Sequence, residues 1–308
     1  MYKKTLNFII PLYNHQRYIK DCLERIIKLE LCNVKVIVID DFSDDNSVAV
    51  TKELIEKYKT LKSVTFKLIE KTMNAGVTNS LNLGLKEVEE GLVYFIASDD
   101  FIDCESFTKS VAKIVENDLD FLICNGRYFK NNKVQGRIYK NALSDFLTRV
   151  MKRKNNALYI NYPKPLLLQT CIFKTELLKV IGEWDELIPL DDYPFFIKLF
   201  NLHEQKKMKF HFLSEEFLVN YRIHATNSHS SILRQYNTIK NVMYKIAPQD
   251  YKYKAVGCRL SFYLLMAINK SELMTVIGLV KNSNANEICW ALFYTPLNIL
   301  KKVFDRHG

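Results

Sequence analysis

The chain has 308 residues, 48% hydrophobic and 25% charged, a balance that excludes wholesale disorder, a collagen-like repeat and a disulfide-stapled miniprotein. Lys and Arg number 44 against 34 Asp and Glu, and the net charge of +10 invites nucleic acid, an anionic membrane or a phosphorylated substrate as partner. The seven cysteines are scattered, with no CxxC pair or zinc spacing, and read as free thiols of a reducing compartment.

The apolar stretch behind Met1-Tyr2-Lys3-Lys4 is broken by Asn7 and Pro11, which argues for a first strand over a signal peptide. No run reaches 18 uninterrupted apolar residues, so no transmembrane span is expected. Residues 6–10 form that strand, and 16–29 carry Tyr18, Ile19, Cys22, Leu23, Ile26 and Ile27 at helical spacing. A β-branched run at 34–39 marks a strand buried on both faces. Asp45, Asn46 or Ser47 then caps a helix at 47–59. A strand follows at 64–69, and a loop with Asn74 and Gly76 opens a helix running to about Val88. Strands at 92–97 and 121–125 flank a helix after Glu105.

This alternation predicts an α/β fold with a mostly parallel sheet flanked by helices, whose ligands bind outside the carboxyl ends of the strands. Tyr13-Asn14, Asp40-Asp41, Asn74 with Gly76, and Ser98-Asp99-Asp100 all stand at such ends, so four strands aim polar residues at one crevice. Further on, 127–139 reads as a short hairpin, 142–151 as a helix, Tyr162-Pro163-Lys164-Pro165 as a rigid bend, and 208–213 and 216–222 as two short strands. The chain from 232 is helical, with breaks near Pro248, Lys270 and 282–286.

Adjacent carboxylates at a strand end are solvated, used as helix caps, or bound to a cation such as Mg²⁺ or Mn²⁺. Asp99-Asp100 fits the last of these, in a crevice that lacks GxGxxG and GKS/T and so disfavours a dinucleotide-binding dehydrogenase. Carboxylates in 40–45 suit a base N–H or ribose hydroxyls. Pro194 suits a first helical turn, with Asp191 or Asp192 as N-cap and the other free to act as a base. Trp184 is either a wall for a sugar ring or a core residue.

Several stretches together resemble glycosyltransferase family 2, the nucleotide-sugar transferases of GT-A fold, over about residues 5–228. They are Phe8-Ile9-Ile10-Pro11-Leu12-Tyr13-Asn14, Val36-Ile37-Val38-Ile39-Asp40-Asp41-Phe42-Ser43, Asn74-Ala75-Gly76 with Asn82 and Gly84, and Tyr94-Phe95-Ile96-Ala97-Ser98-Asp99-Asp100. Gly182-Glu183-Trp184-Asp185, Asp191-Asp192-Tyr193 and Tyr221-Arg222-Ile223-His224 complete the set.

The resemblance implies a nucleotide pocket of Pro11, Tyr13, Asn14, Asp40, Asp41, Ser43, Asn74, Gly76, Asn82 and Ser98. It implies Mn²⁺ or Mg²⁺ on Asp99, helped by Asp100 or His224, and Asp192 as catalytic base beside Asp191. Trp184 falls on the acceptor side. Three positions depart from the pattern: Ala97 replaces the first aspartate of DxD, Leu81 a common arginine, and Phe42 a common glycine.

The positive charge is unevenly spread. Residues 125–165 hold ten Lys/Arg against one acid and 232–308 eleven against four, leaving the remainder at −6. The first segment includes Lys152, Arg153 and Lys154, expected on the acceptor side. The second mixes lysines with Phe262, Tyr263, Trp290, Phe293 and Tyr294, as in helices that lie on anionic membranes. No nucleic-acid-binding motif accompanies the charge.

The expected organisation is a catalytic domain at 1–231, with a nucleotide half at 1–124 and an acceptor half at 125–231, then a basic helical region at 232–308. The expected activity is metal-dependent, inverting transfer from a nucleotide-sugar, a UDP-sugar by family frequency. The expected acceptor is a bacterial surface glycan such as O-antigen or capsule on a lipid carrier, reached from the inner face of the cytoplasmic membrane, with a homodimer through the last helices as a further expectation. The contrasting reading, kept open by Ala97 and Leu81, is a degraded nucleotide-binding scaffold of an assembly complex.

Overall fold

The structure is a computed structural model that describes residues 5–29, 31, 33–140, 143, 147, 156–160, 166–224 and 231–307. The chain divides into two compact units: residues 1–139 with 165–223, and residues 140–164 with 224–308. The helical unit thus takes in a segment that the sequence pattern assigns to the acceptor half. The readings of a helix at 142–151 and a bend at 162–165 fall largely outside the described residues, as do Lys152, Arg153 and Lys154.

The first unit contains β1 (Leu6–Leu12), α1 (Ile19–Ile27), β2 (Val34–Asp40), α2 (Ser47–Tyr58), β3 (Val64–Glu70), α3 (Val77–Lys86) and β4 (Leu92–Phe95). It continues with β5 (Phe101–Ile102), α4 (Cys104–Glu116), β6 (Phe121–Lys130), β7 (Lys133–Arg137), β8 (Cys171–Lys174), α5 (Thr175–Ile181), α6 (Asp192–Lys206) and β9 (Phe210–Arg222). The sheet runs β3-β2-β1-β4-β8-β6-β9-β5, with β7 paired to β6.

Strands β3, β2, β1 and β4 are parallel, as the alternation predicts. Their interior is continuous: Phe8, Ile9 and Ile10 on β1 and Val36, Ile37 and Val38 on β2 are fully buried, because helices cover both faces. Gly84 lets α3 lie directly on β1, since a Cβ there would meet Ile9 Cγ2 at 2.4 Å.

The second half of the sheet departs from the sequence reading in three places, one being the two-residue strand β5, which is antiparallel to β9 and has no counterpart in that reading. Strand β8 has no counterpart in it and inserts between β4 and β6, antiparallel to both. The strands read at 208–213 and 216–222 are one strand, β9, parallel to β6. Its register slips beside Cys124 and Asn125, where Leu213 and Phe217 face consecutive β6 residues. Asn125, fully buried, fills the slip. Its amide donates to the Tyr139 and Ser214 carbonyls, and its Oδ1 accepts from the Gly126 and Tyr139 N–H groups. All four bonding sites of that amide are used.

The second unit holds a single helical turn at Asn156–Tyr159 and helices α7 (Ile232–Ile246), α8 (Lys252–Asn269), α9 (Leu273–Lys281) and α10 (Ala285–His307). Their breaks match the expected ones. Gly257 on α8 faces α10, and a Cβ there would meet Trp290 Cβ at 2.4 Å. Glu287 is fully buried on α10, with its charge held by Lys240 Nζ at 2.7 Å, Tyr244 Oη at 2.6 Å and the Asn284 N–H at 2.8 Å. No described helix is long and apolar enough to cross a membrane.

Candidate active site

Parallel strands deliver their carboxyl ends to the same edge of the sheet, and the loops after β1 and β2 are laced together there. Asn14 donates its N–H to Ser43 Oγ and accepts from the Asp44 N–H. The His15 N–H donates to Ser47 Oγ, the Gln16 N–H to Asp45 Oδ2, and the Asn46 N–H to Gln16 Oε1. Asp45 also accepts from the Ser47 N–H at 2.9 Å, so the expected cap of α2 comes from Asp45, while Asn46 makes no side-chain cap.

Tyr13 stands exposed on this rim. Phe42 is half exposed with φ 64°, a left-handed conformation that costs a bulky residue about 1–2 kcal/mol. That conformation explains why glycine suits the position.

The two aspartates after β2 have different partners. Asp40 accepts from Ser43 through both N–H and Oγ, at 3.1 and 2.6 Å. Asp41 is buried and bound on both oxygens, by Lys71 Nζ at 2.5 Å and by the Ala75 and Gly76 N–H groups at 2.9 Å each. Gly76 has φ 86° and ψ 169°, a region that essentially only glycine occupies, so Asp41 and Gly76 together shape the turn into α3. Asn74 is exposed on that turn. Pro11 is the partly exposed residue of β1.

Asn82 is buried behind the turn, bonded to the Trp184 carbonyl and N–H and to Glu186. Leu81 is buried beside it.

After β4, Ser98 and Asp100 are buried and Asp99 nearly so. Asp100 accepts from the Arg222 N–H at 2.7 Å and from Gln169 Nε2 at 2.8 Å. Burial pushes its carboxyl well above the usual range, the Asp99 charge adds to this, and Arg222 opposes it. Arg222 also donates from Nε to the Asp99 carbonyl at 2.8 Å and from Nη2 to Asp21 at 2.9 Å.

Asp99 lies beside the His15 ring, with Oδ2 3.8 Å from Nε2, and His15 Nδ1 is 2.8 Å from Ser98 Oγ. A carboxylate and an imidazole are suitable ligands for a divalent cation, so the donor set fits the ion that GT-A enzymes commonly use. His224 opens the second segment of the helical unit, two positions past the end of β9.

Asp192 begins α6. Neither aspartate caps it as expected: Asp191 makes no side-chain cap bond, and Asp192 Oδ1 instead accepts from the Leu168 N–H at 2.6 Å. Asp192 remains partly exposed. Burial raises its carboxyl well above the ordinary value, and the Asp191 charge raises it further. Trp184 is core, 6% exposed, stacked on Phe195, with its indole N–H donated to the Asp191 carbonyl at 3.0 Å. It therefore positions the head of α6.

The link between Asp192 and the acidic loop is the short 3₁₀ turn Leu168–Thr170, where Leu168 holds Asp192 and Gln169 holds Asp100. The Tyr221 hydroxyl is raised by burial and then by the charges of Asp100, Asp99 and Asp192, so all three carboxylates lie within electrostatic reach of one ring. Sequence reasoning passed over Lys71, Gln169 and His15. Only His15 carried a signal, standing directly after the Tyr13-Asn14 motif.

The mostly parallel sheet, with acidic strand ends gathered at one edge, fits a glycosyltransferase of the GT-A type. The model of glycosyl transferase family 2 matches residues 7–178, more than half of the chain, and the chain belongs to that family. The glycosyltransferase GlyA of Streptococcus pneumoniae is 31% identical over 140 residues, covering 46% of this chain and 19% of that protein. The poly(ribitol-phosphate) beta-N-acetylglucosaminyltransferase TarS of Staphylococcus aureus is 29% identical over 174 residues, covering 56% of this chain and 28% of that one. The chain thus spans well under two thirds of either relative.

The fold matches residues 1–349 of TarS in complex with UDP-GlcNAc at a TM-score of 0.62, with 20% identity over 96% of this chain and 88% of that one. The mannosyltransferase PcManGT of Pyrobaculum calidifontis, in complex with GDP-Man and Mn²⁺, matches at 0.60, with 16% identity over 99% and 88%.

Proposed function

We propose that this chain moves a sugar, with inversion, from a nucleotide-sugar to a hydroxyl of a bacterial surface glycan carried on a lipid. The observation that supports this best is the turn Leu168–Thr170, which ties the raised carboxyl of Asp192 to the Asp99-Asp100 loop. Tyr13, Phe42, Asp40 and Ser43 form the wall for the nucleoside, and a UDP-sugar is the favoured donor, in keeping with the UDP-GlcNAc bound by TarS. Asp41, Asn82 and Gly76 shape this wall from behind.

Asp192 accepts the proton of the acceptor hydroxyl as its oxygen bonds to the anomeric carbon. The bond from that carbon to the diphosphate oxygen breaks, and the electron pair leaves with the nucleoside diphosphate. A carboxyl raised above its ordinary value is a better match to this proton transfer near neutral pH. A divalent cation held by Asp99 would neutralise the departing diphosphate.

The helical unit supports engagement of an anionic membrane. Leu273, Met274, Ile277 and Val280 on α9 and Leu292, Phe293, Leu297 and Leu300 on α10 are exposed, with Lys281 at the end of α9. Such a placement would put the protein on the inner face of the cytoplasmic membrane.

The decisive variant is Asp192→Asn, which keeps the shape and the acceptor for the Leu168 N–H. Transfer should fall about 10²–10⁴-fold while binding of the donor nucleotide is unchanged. A variant with wild-type kcat removes Asp192 as base. A wild type that binds none of UDP, GDP, dTDP or CDP by calorimetry removes the transferase reading in favour of the scaffold.

The variant also tests the raised carboxyl. A carboxyl with a higher pKa folded than unfolded stabilises fully below the unfolded value of about 3.9, and that contribution is lost as pH rises toward the folded value. Asp192→Asn should therefore raise Tm at neutral pH, with the gain vanishing near pH 3.

A further inference from the structure

We infer that His15 supplies the cation ligand that Ala97 cannot, and that the resulting imidazole–carboxylate pair selects Mn²⁺ or Co²⁺ over Mg²⁺. This inference rests on the cation role proposed above and concerns which side chains and which ion fulfil it.

Position 97 has only a methyl group, so the loop after β4 offers one fewer oxygen ligand than the DxD pattern. His15 reaches the same place from the loop after β1. Its backbone is fixed there by the N–H bond to Ser47 Oγ at 2.9 Å, and its ring packs edge-on to Tyr18 at 5.9 Å. The ring is oriented by the 2.8 Å contact between Nδ1 and Ser98 Oγ. With the proton on Nδ1, Nε2 turns a lone pair toward Asp99 Oδ2, 3.8 Å away.

That separation is too long for a hydrogen bond, which needs about 2.7–3.2 Å. It suits two donors that share one ion. Bonds of about 2.0–2.2 Å at angles of about 90–120° place donor atoms roughly 2.8–3.8 Å apart, and the observed separation stands at the upper end. The hydroxyl of Ser98 then has the role commonly found behind a metal-bound imidazole, fixing the ring and its tautomer through the other nitrogen. Both residues are partly open, with side-chain exposures of 23% for His15 and 11% for Asp99, so an ion and a diphosphate oxygen can reach them.

Ligand chemistry sets the preference. Mg²⁺ strongly favours oxygen donors, whereas imidazole favours later first-row ions, with affinity rising from Mn²⁺ to Co²⁺. Replacing a carboxylate by an imidazole also removes one negative charge from the site, which weakens Mg²⁺ more than Co²⁺.

The test is cation binding by the full chain without substrate. Binding of Mn²⁺ is followed by the electron paramagnetic resonance of the free ion, Co²⁺ by its visible absorption, and Mg²⁺ by competition. Wild type should bind Co²⁺ and Mn²⁺ more tightly than Mg²⁺, by at least about tenfold. His15→Ala should lose roughly 10–100-fold in Co²⁺ and Mn²⁺ affinity with little change for Mg²⁺.

In a second variant that leaves His15 in place, Ala97→Asp should raise Mg²⁺ affinity and shrink the Co²⁺/Mg²⁺ ratio. Unchanged Co²⁺ and Mn²⁺ binding in His15→Ala overturns the assignment, as does a wild type that prefers Mg²⁺. If wild type binds no cation yet transfers sugar in the presence of a chelator, this inference fails and the transferase reading stands. If it binds cations in the predicted order yet binds no nucleotide, the transferase reading fails and this inference stands.

Discussion

The same dipeptide stands at the end of β2, Asp40-Asp41, and in the turn after β4, Asp99-Asp100, and the fold treats the second members alike but not the first. In each pair the second aspartate is buried and fully engaged by protein: Asp41 by Lys71, Ala75 and Gly76, Asp100 by Arg222 and Gln169. The first members differ: Asp40, 3% exposed, is bound on both oxygens by Ser43, whereas Asp99 lies beside His15. Asp40, Asp41 and Asp100 shape their loops, and Asp99 stands beside the imidazole of His15.

The comparison fails first, if it fails, at Asp41. Asp41→Ala leaves the Lys71 ammonium, whose side chain is 8% exposed, without its carboxylate and strands two N–H groups, so unfolding free energy should drop by about 3–5 kcal/mol in urea titration. A loss below about 1 kcal/mol would contradict the role given to it. At Asp99 the expectation reverses. Asp99→Asn should cost on the order of 10²-fold in kcat, about 2.7 kcal/mol of barrier, while Tm stays within a degree of wild type. If Tm fell as far as for Asp41→Ala, the division between shaping and ligand-facing aspartates would collapse. The smallest effect belongs to Phe42, beside Asp41. Phe42→Gly relieves a left-handed conformation and should stabilise the chain by about 1 kcal/mol, less the added freedom of glycine when unfolded, while weakening nucleoside affinity.

Much of this was legible in the residues. The β-branched run of β2 and the alternation of elements around it pointed to a doubly covered parallel sheet, and strand ends in such a sheet converge whatever their side chains. Strand β8 was not legible, because Cys171–Lys174 spans only four residues and its short apolar pattern is as compatible with a buried helix. The union of the two β9 segments was hidden by the polar Ser214 and Glu215, which fall between the two strands read at 208–213 and 216–222. The slip is instead held by Asn125, about 90 residues earlier. The motif positions of Asp99, Asp192 and Tyr13 could be carried over one by one, but which member of each acidic pair faces inward depends on partners such as Lys71 and Gln169. Those partners lie on other elements and follow no spacing rule. The charge map met a similar limit: Arg137 is paired with Glu215 and Arg127 with Asp103, so part of the first basic segment is neutralised locally.

The crossed bonds between the loops after β1 and β2 have a thermodynamic consequence. Asn14, His15, Gln16, Asp44 and Asn46 are already fixed by side chains of the opposite loop. Fixing a residue's backbone costs about 1–2 kcal/mol of entropy, and here that loss is incurred on folding. A nucleoside docking on this rim meets a surface that is already ordered. Its binding should show only the small heat-capacity change of covering Tyr13 and Phe42, without the large signature of a segment that folds around its ligand.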